Sequence, residues 1–398
     1  MKKKRLLALS MIAAMITAML AGCGTAGDSN NGASADTGSA SAEVNTSKDD
    51  SGEYPEYKFG TNIWGSGSYV LESNAKTANI NYSGLGITVD GISNEFTADK
   101  ITTDVQTQIS DGCQAILEMC VTPPSFMSVS QICEENGIPF VLYDKTPGDE
   151  ATKAAIESKS TYAGTIVCSD YQFGYEIGQK CIEDGCKKVI LVRSSIGDAS
   201  HDEREKGFTA AFVDEGKGEI LGSAVCANPG EAVDKSNDAI TAYGQSADCI
   251  YALGSDFATG TINAIAARSD SYSKELKIYT TDFTPDMAQL ILDGKLAALN
   301  GGQLEECSVA AALACNWLDG HPILDENGKA PFFNQMMPCT IDETNAQAYV
   351  DKMESGEPIV PQEYYKNLLY RYNPDVTYDD FVEFLENYSQ IYMDGISR

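Results

Sequence analysis

The sequence predicts an α/β fold of two doubly wound parallel-sheet lobes, and three observations carry this expectation. From Tyr57 onward, short apolar runs alternate with stretches of helical period, roughly every 25–30 residues. Ten of the runs read as strands, which is many for one sheet in a chain of 398 residues, so two sheets of about five strands each are the economical arrangement. Helix-period segments stand between the runs, where parallel strands require a crossover.

Ahead of the first strand, Lys2, Lys3, Lys4 and Arg5 form a basic cluster, and residues 6–20 an apolar stretch too short for a stable membrane span. It ends Leu20-Ala21-Gly22-Cys23, which resembles the bacterial lipobox. Residues 1–22 then read as a removable export signal and Cys23 as the lipidated first residue of the mature chain. Residues 23–56, rich in Ser, Gly, Asn, Ala and Asp without an apolar period, are expected to form a disordered tether. The strand-like runs are 58–64, 86–92, 115–121, 139–144, 161–168, 188–193, 220–226, 249–253, 277–282 and 296–300. Helical periods fall at 98–110, 125–136, 171–183, 203–215, 232–243, 259–267 and 285–292. The last of these has Thr284-Pro285 as its start signal and Gly294 as its stop.

Composition removes several function classes. Asp and Glu number 58 against 28 Lys and Arg, for a net charge of −30, and loss of the four basic leader residues brings the mature chain near −34. Such a surface repels phosphate backbones, so no nucleic-acid partner is expected. Of 12 cysteines, eleven remain once Cys23 is assigned to lipid. The number is odd, and Cys120, Cys168, Cys226 and Cys249 lie in or beside strand-like runs, where a buried free thiol is the expected state. Cys181 and Cys186 lack a matching second pair, so no zinc site is expected. Enzymatic signatures are missing: there is no G-x-x-x-x-G-K-[ST], no H-E-x-x-H and no G-x-S-x-G. Of the two histidines, His201 beside Asp202 has no nucleophile elbow to serve, and His321 reads as a turn residue. The chain is therefore expected not to be an enzyme, with no catalytic residue, cofactor or metal.

In open α/β sheets the ligand sits beyond the carboxyl ends of the strands, and two such sheets facing each other enclose a cleft. The residues just after the strands include Trp64, Asp144, Lys145, Asp170, Arg204, Ser255, Asp282 and Gln303. They suit a polyol. Carboxylates accept from paired hydroxyls, Arg and Gln answer as donors, and an aromatic face covers the apolar side of a ring.

Five segments in order strengthen this reading. Gly137-Ile138-Pro139-Phe140-Val141-Leu142-Tyr143-Asp144-Lys145 resembles a "GIPVV" strand ending in Asp-Arg, with Lys in place of Arg. Arg204-Glu205-Lys206-Gly207-Phe208 resembles an Arg-x-x-Gly-Phe motif, residues 278–282 a strand ending in a ligand-binding Asp, Gly302-Gln303 a hinge crossover, and residues 338–345 the last crossover with the segment just after it. Together they resemble the type I periplasmic binding proteins, the sugar-binding branch, over about residues 57–349. The resemblance implies lobes of residues 57–168 with 303–336 and of 169–302 with 337–398, joined by a hinge of about three crossovers, the latter lobe carrying a C-terminal extension. It further implies a monomeric, extracytoplasmic, lipid-anchored protein that captures a sugar by hinge closure and delivers it to an ABC permease. The alternative it leaves is a ligand-sensing subunit serving a membrane receptor kinase. Two departures stand out: Gly254-Ser255 replaces the usual Asn-Asp, and residues 358–398 run beyond the usual end, with seven tyrosines from Tyr364 to Tyr392. One extra helix packed on one lobe is the expectation for that extension.

Overall fold

The computed structural model describes residues 54–398, so the export signal, Cys23 and all but the end of the tether lie outside the described residues. The first half alternates as β1 (Tyr57–Ile63), α1 (Tyr69–Asn81), β2 (Ile87–Ser93), α2 (Ala98–Ser110) and β3 (Ala115–Glu118). It continues with α3 (Pro123–Asn136), β4 (Phe140–Tyr143), α4 (Glu150–Glu157) and β5 (Tyr162–Ile166). Strands β3, β4 and β5 are buried throughout, which is why they read as unbroken apolar runs rather than alternating ones. Local signals set the helix ends: Thr122 and Ser125 form a capping box ahead of α3, and Gly137, at φ 63°, ends it in the left-handed conformation.

The second half repeats the plan with α5 (Asp170–Glu183), β6 (Lys188–Ser194), α6 (Ala199–Phe208), β7 (Glu219–Cys226), α7 (Ala232–Tyr243) and β8 (Cys249–Ala252). After these come α8 (Ser255–Ala267), β9 (Lys277–Thr281), α9 (Pro285–Leu292) and β10 (Ala298–Gly301). The chain then returns through α10 (Glu306–Leu318), which packs on β3, β4 and β5, to β11 (Phe332–Phe333), and crosses again to β12 (Cys339–Asp342). It ends with α11 (Ala346–Ser355), α12 (Gln362–Asn367), α13 (Tyr378–Glu386) and α14 (Tyr388–Ile396).

Strand order is β11-β5-β4-β3-β1-β2 in one sheet and β12-β10-β9-β8-β6-β7 in the other. The order reverses at β1 and at β6, the switch points beyond which a ligand crevice opens. Each sheet therefore has six strands rather than about five, and the second is not wholly parallel, since β12 runs antiparallel to β10. Both additions are short edge strands supplied by the return crossovers, where no apolar run of strand length announces them. Three passages link the sheets, at residues 167–169, 302–305 and 334–338.

The expectation of one extra helix on one lobe is corrected. Three helices, α12 to α14, follow α11, and they touch both sheets' layers. Gln362 donates to the Asn81 and Ser83 carbonyls, Arg371 pairs with Asp319 at the end of α10, and Phe381 stacks on Phe333 of β11. Farther on, Tyr392 stacks on Phe283, and the Cys339 thiol of β12 donates to the Ser389 carbonyl. The tyrosines of the extension are the apolar payload that allows this: Tyr365, Tyr388 and Tyr392 are buried.

Candidate ligand-binding cleft

Arg204 is delivered to the cleft by a close helix pair. A Cβ on Gly174 of α5 would come within 1.8 Å of the Arg204 carbonyl, and one on Gly207 of α6 within 1.8 Å of the Tyr171 carbonyl. Only glycines permit that backbone contact, which gives the Arg-x-x-Gly motif its physical reason. Ser169 caps α5 by accepting from the Gln172 amide, leaving Asp170 in the first turn with Arg204 Nε donating to it at 2.8 Å. Arg204 also donates to the Leu253 carbonyl at 2.6 Å and to both oxygens of Asp282, at 3.3 and 3.1 Å. The guanidinium lies over the Phe173 ring. Gln303 Nε2 completes the set with a 2.6 Å bond to Asp282 Oδ1.

From the first sheet, Lys145 lies 3.2 Å from Asp144 and donates to Ser200 of α6 at 2.5 Å, a direct bond between the two halves. Asp144 and Lys145 are recessed but not sealed, with side chains 23% and 31% exposed. Burial raises the Asp144 carboxyl above its usual range even though the Lys145 ammonium opposes it. Asp170 goes the other way: burial would raise it, but Arg204 and Lys145 hold it below the ordinary value. For Lys145 itself burial is outweighed by Asp144 and Asp170, which raise its pKa.

Asp144 and Asp282 share a rare backbone state. Their φ values are 63° and 85°, in the left-handed region that L residues seldom occupy. Each sits one residue past the end of its strand and still ties to the neighbouring strand, through Asp144 N–H to the Ile166 carbonyl and Asp282 N–H to the Asn300 carbonyl. The turn of the backbone aims both carboxylates off the strand ends, and strain of this kind concentrates at functional sites.

Six of the eight residues expected at the site, Asp144, Lys145, Asp170, Arg204, Asp282 and Gln303, are joined in this one charged cluster through direct bonds or electrostatic contact. Trp64 and Ser255 are not bonded to it. Trp64, just past β1, packs edge-on against Phe96 at 6.1 Å, and Ser255 opens α8 with its side chain buried. The replacement of Asn-Asp by Gly254-Ser255 has a structural counterpart: a Cβ on Gly254 would stand 3.3 Å from Asp282 Oδ2 and 3.6 Å from the His201 ring, so a larger side chain would contend with both.

His201 and Ser200 are the residues that strand-end reasoning left out of the site. His201 accepts from the Ser194 amide and lies edge-on to Phe257; burial, then the Arg204 charge, lower its pKa to about 4, so it is neutral at pH 7. Asp202 is engaged with Arg193, so no His–Asp relay forms. Asp198, which caps α6 by accepting from the His201 amide, marks this turn in the sequence. Among the described residues, no group of three or more His, Cys, Asp or Glu side chains is arranged to hold a metal, and all eleven cysteines are free and buried.

The family model described as a periplasmic binding protein domain matches residues 70–321, more than half of the chain. The chain belongs to the periplasmic binding protein family. No curated protein sequence matches it. Among solved structures, this periplasmic binding protein is similar to a galactofuranose binding protein at 18% identity and TM-score 0.60, covering 75% of this chain and 99% of that one. The binding component of the arabinose ABC transporter from Shewanella sp. ANA-3, bound to L-arabinofuranose, gives 17% identity, TM-score 0.62 and coverage of 75% and 96%. A solute binding protein from Actinobacillus succinogenes 130z with bound D-allose gives 17%, 0.62, and coverage of 74% and 100%. At these identities the likeness establishes the two-lobed fold.

Proposed function

We propose that this periplasmic binding protein is the extracytoplasmic, lipid-anchored receptor of an ABC importer and captures a neutral sugar or related polyol by closure of its two lobes. The observation that carries the reading is the Arg204 hub. One buried guanidinium holds Asp170 and Asp282 in fixed orientation, Gln303 braces Asp282, and the Asp144–Lys145 pair faces them from the other sheet. Such a cluster offers acceptors and donors whose charges largely offset one another, which favours many-hydroxyl ligands over anions. The named fold relatives bind galactofuranose, L-arabinofuranose and D-allose, which supports the same ligand class. Closure is favoured when a ligand contacts both walls, because its differential affinity for the closed form shifts the lobe equilibrium.

Anchoring rests on Cys23. Among the described residues no helix is long and apolar enough to cross a membrane, and the family works outside the cytoplasm, so attachment through a lipidated Cys23 is the fitting arrangement. The test of function is a thermal-shift panel of pentoses, hexoses, inositols and nucleosides followed by calorimetric titration, since a ligand of the native state raises its melting temperature. A protein that binds none of the neutral polyols but binds an anionic solute defeats the proposal.

A further inference from the structure

The segment that re-enters the first lobe carries two buried acceptors without partners. Gln303 Oε1 and Glu306 Oε2 have no hydrogen-bond partner, although both residues are buried, Glu306 to 1% exposure. Buried polar atoms are rarely left so, and each unpaired one calls for an explanation. Gln303 opens a single 3-10 turn, Gln303–Glu305, that runs directly into α10 at Glu306. Gln303 and Glu306 are three residues apart on this continuous stretch of helix, the spacing at which side chains are neighbours on a helical surface. Their other atoms are already fixed: Gln303 Nε2 donates to Asp282, and Glu306 Oε1 accepts from the Cys168 amide on the first crossover. The free atoms therefore have defined positions at the base of the cleft, between two of the three passages linking the sheets.

We propose that Gln303 and Glu306 form an acceptor–donor pair on the hinge that takes a hydroxyl group of the ligand, which makes Glu306 a binding residue beyond the strand-end set. The inference rests on the sugar-binding reading given above. A hydroxyl both donates and accepts, so it can donate to Gln303 Oε1 and accept from a protonated Glu306 Oε2. Protonation fits the surroundings. Burial, then the Asp144 carboxylate, raise the Glu306 pKa well above its usual range, while the Cys168 amide and Lys145 only partly oppose them. The other titratable neighbours, Cys168 and Cys307, are themselves buried thiols with raised pKa and stay neutral. Its place on the hinge, tied to the first crossover through Cys168, sets this pair apart from the strand-end residues on the two walls.

The test has two arms. Infrared difference spectra of wild type minus Glu306→Gln at pH 7, without any ligand, should contain the carbonyl band of a protonated carboxyl; its absence overturns the proposal whether or not a ligand is known. In the second arm, titration uses the tightest of D-ribose, L-arabinose, D-galactose, D-allose and myo-inositol. Glu306→Ala should weaken binding roughly 5- to 100-fold, with Glu306→Gln recovering most of the loss through its amide donor. Wild-type affinity should fall as rising pH ionises Glu306, and the Gln variant should lack that dependence. Unchanged affinity in Glu306→Ala, or matching pH profiles in wild type and Glu306→Gln, rejects the pair. Failure of all five sugars to bind wild type counts against the functional reading, while the infrared arm still decides the protonated donor on which the pair depends.

Discussion

Arg204 and Arg371 are both buried arginines bonded to aspartates, yet one belongs to the cleft and the other to the C-terminal extension. Arg371 is closed on itself: it meets Asp319 through two bonds of 2.8 and 2.7 Å, with side chains 1% and 3% exposed, and gives a third bond to the Pro55 carbonyl. Tyr57 also donates to Asp319. Arg204 divides its donors between two carboxylates that remain about a fifth exposed, at 20% and 18%. The difference teaches what a binding site requires. Arg371 and Asp319 have completed each other, whereas Asp170 and Asp282 are oriented by Arg204 and keep lone pairs open to the cleft.

The largest expected effect is on the closed pair. Arg371→Ala strands Asp319 in the interior, and breaking a buried pair from one side costs about 3–5 kcal/mol. Denaturant melts should reveal that loss, and affinity per folded molecule should be unaltered. Arg204→Ala should invert the pattern, because its aspartates keep access to water but lose their orientation. A stability loss in Arg204→Ala as large as that in Arg371→Ala would erase the distinction.

Strain sharpens the same contrast. At Asp144 and Asp282, φ values of 63° and 85° favour glycine. Asp144→Gly should relieve backbone cost of about 1 kcal/mol while removing charge-assisted bonds to ligand, so stability holds or rises as affinity falls by about 10- to 100-fold, whereas Asp282→Gly should lose both affinity and stability because it also takes three bonds from Arg204 and Gln303. Titration and melting on the same variants check both signs. A site that loses no affinity here is not built on these carboxylates.

Much of this was legible in the sequence, for a physical reason. Each of the ten runs lies within a few residues of an observed strand, because buried parallel strands write themselves as apolar runs with turns at both ends. Asp144, Asp170, Arg204, Asp282 and Gln303 could be picked out because strand ends and helix starts are marked locally. Arg371 and Asp319 carry no such mark; they are 52 residues apart and their pairing depends on how the extension folds back. Glu306 was hidden differently. An acid in the first turn of a helix reads as ordinary surface, and only the crossing of the chain buries it. Trp64 and Ser255 also sit at strand ends but are not bonded to the charged cluster.

A smaller effect concerns His201, neutral beside Arg204. Its pKa is about 4 in the folded protein and about 6.5 when unfolded, so the unfolded chain binds the extra proton between those values. The stability from neutral His201 is full above about pH 6.5 and is lost as pH falls toward about 4, at no more than about 1.4 kcal/mol per pH unit. Buried acids with raised pKa, Glu118 and Glu306 among them, pull stability in the opposite direction over part of this range. The informative quantity is thus the difference between wild type and His201→Asn, in which those acids cancel. Parallel stability curves for the two proteins from pH 7 to 5 would remove His201 from the cleft's electrostatics.

The smallest effect tests where the extension meets the hinge. Tyr388 Oη donates to the Gly302 carbonyl at 2.9 Å, on the same passage that carries Gln303 and Glu306. Gly302 sits at φ 137°, and a Cβ there would come within 3.0 Å of the Tyr388 ring, so the glycine is what lets the tyrosine seat against the crossover. Tyr388→Phe keeps the ring contacts with Phe384 and Tyr392 and removes one hydroxyl. The global cost should be about 0.5–1.5 kcal/mol. Its local signature is more telling than its size: amide hydrogen exchange at Leu304, Glu305 and Glu306 should quicken more than exchange in α13, because the lost bond is to the hinge passage itself. Equal acceleration throughout the extension would mean that Tyr388 supports only its own helix, and that the extension lies over the hinge without restraining it.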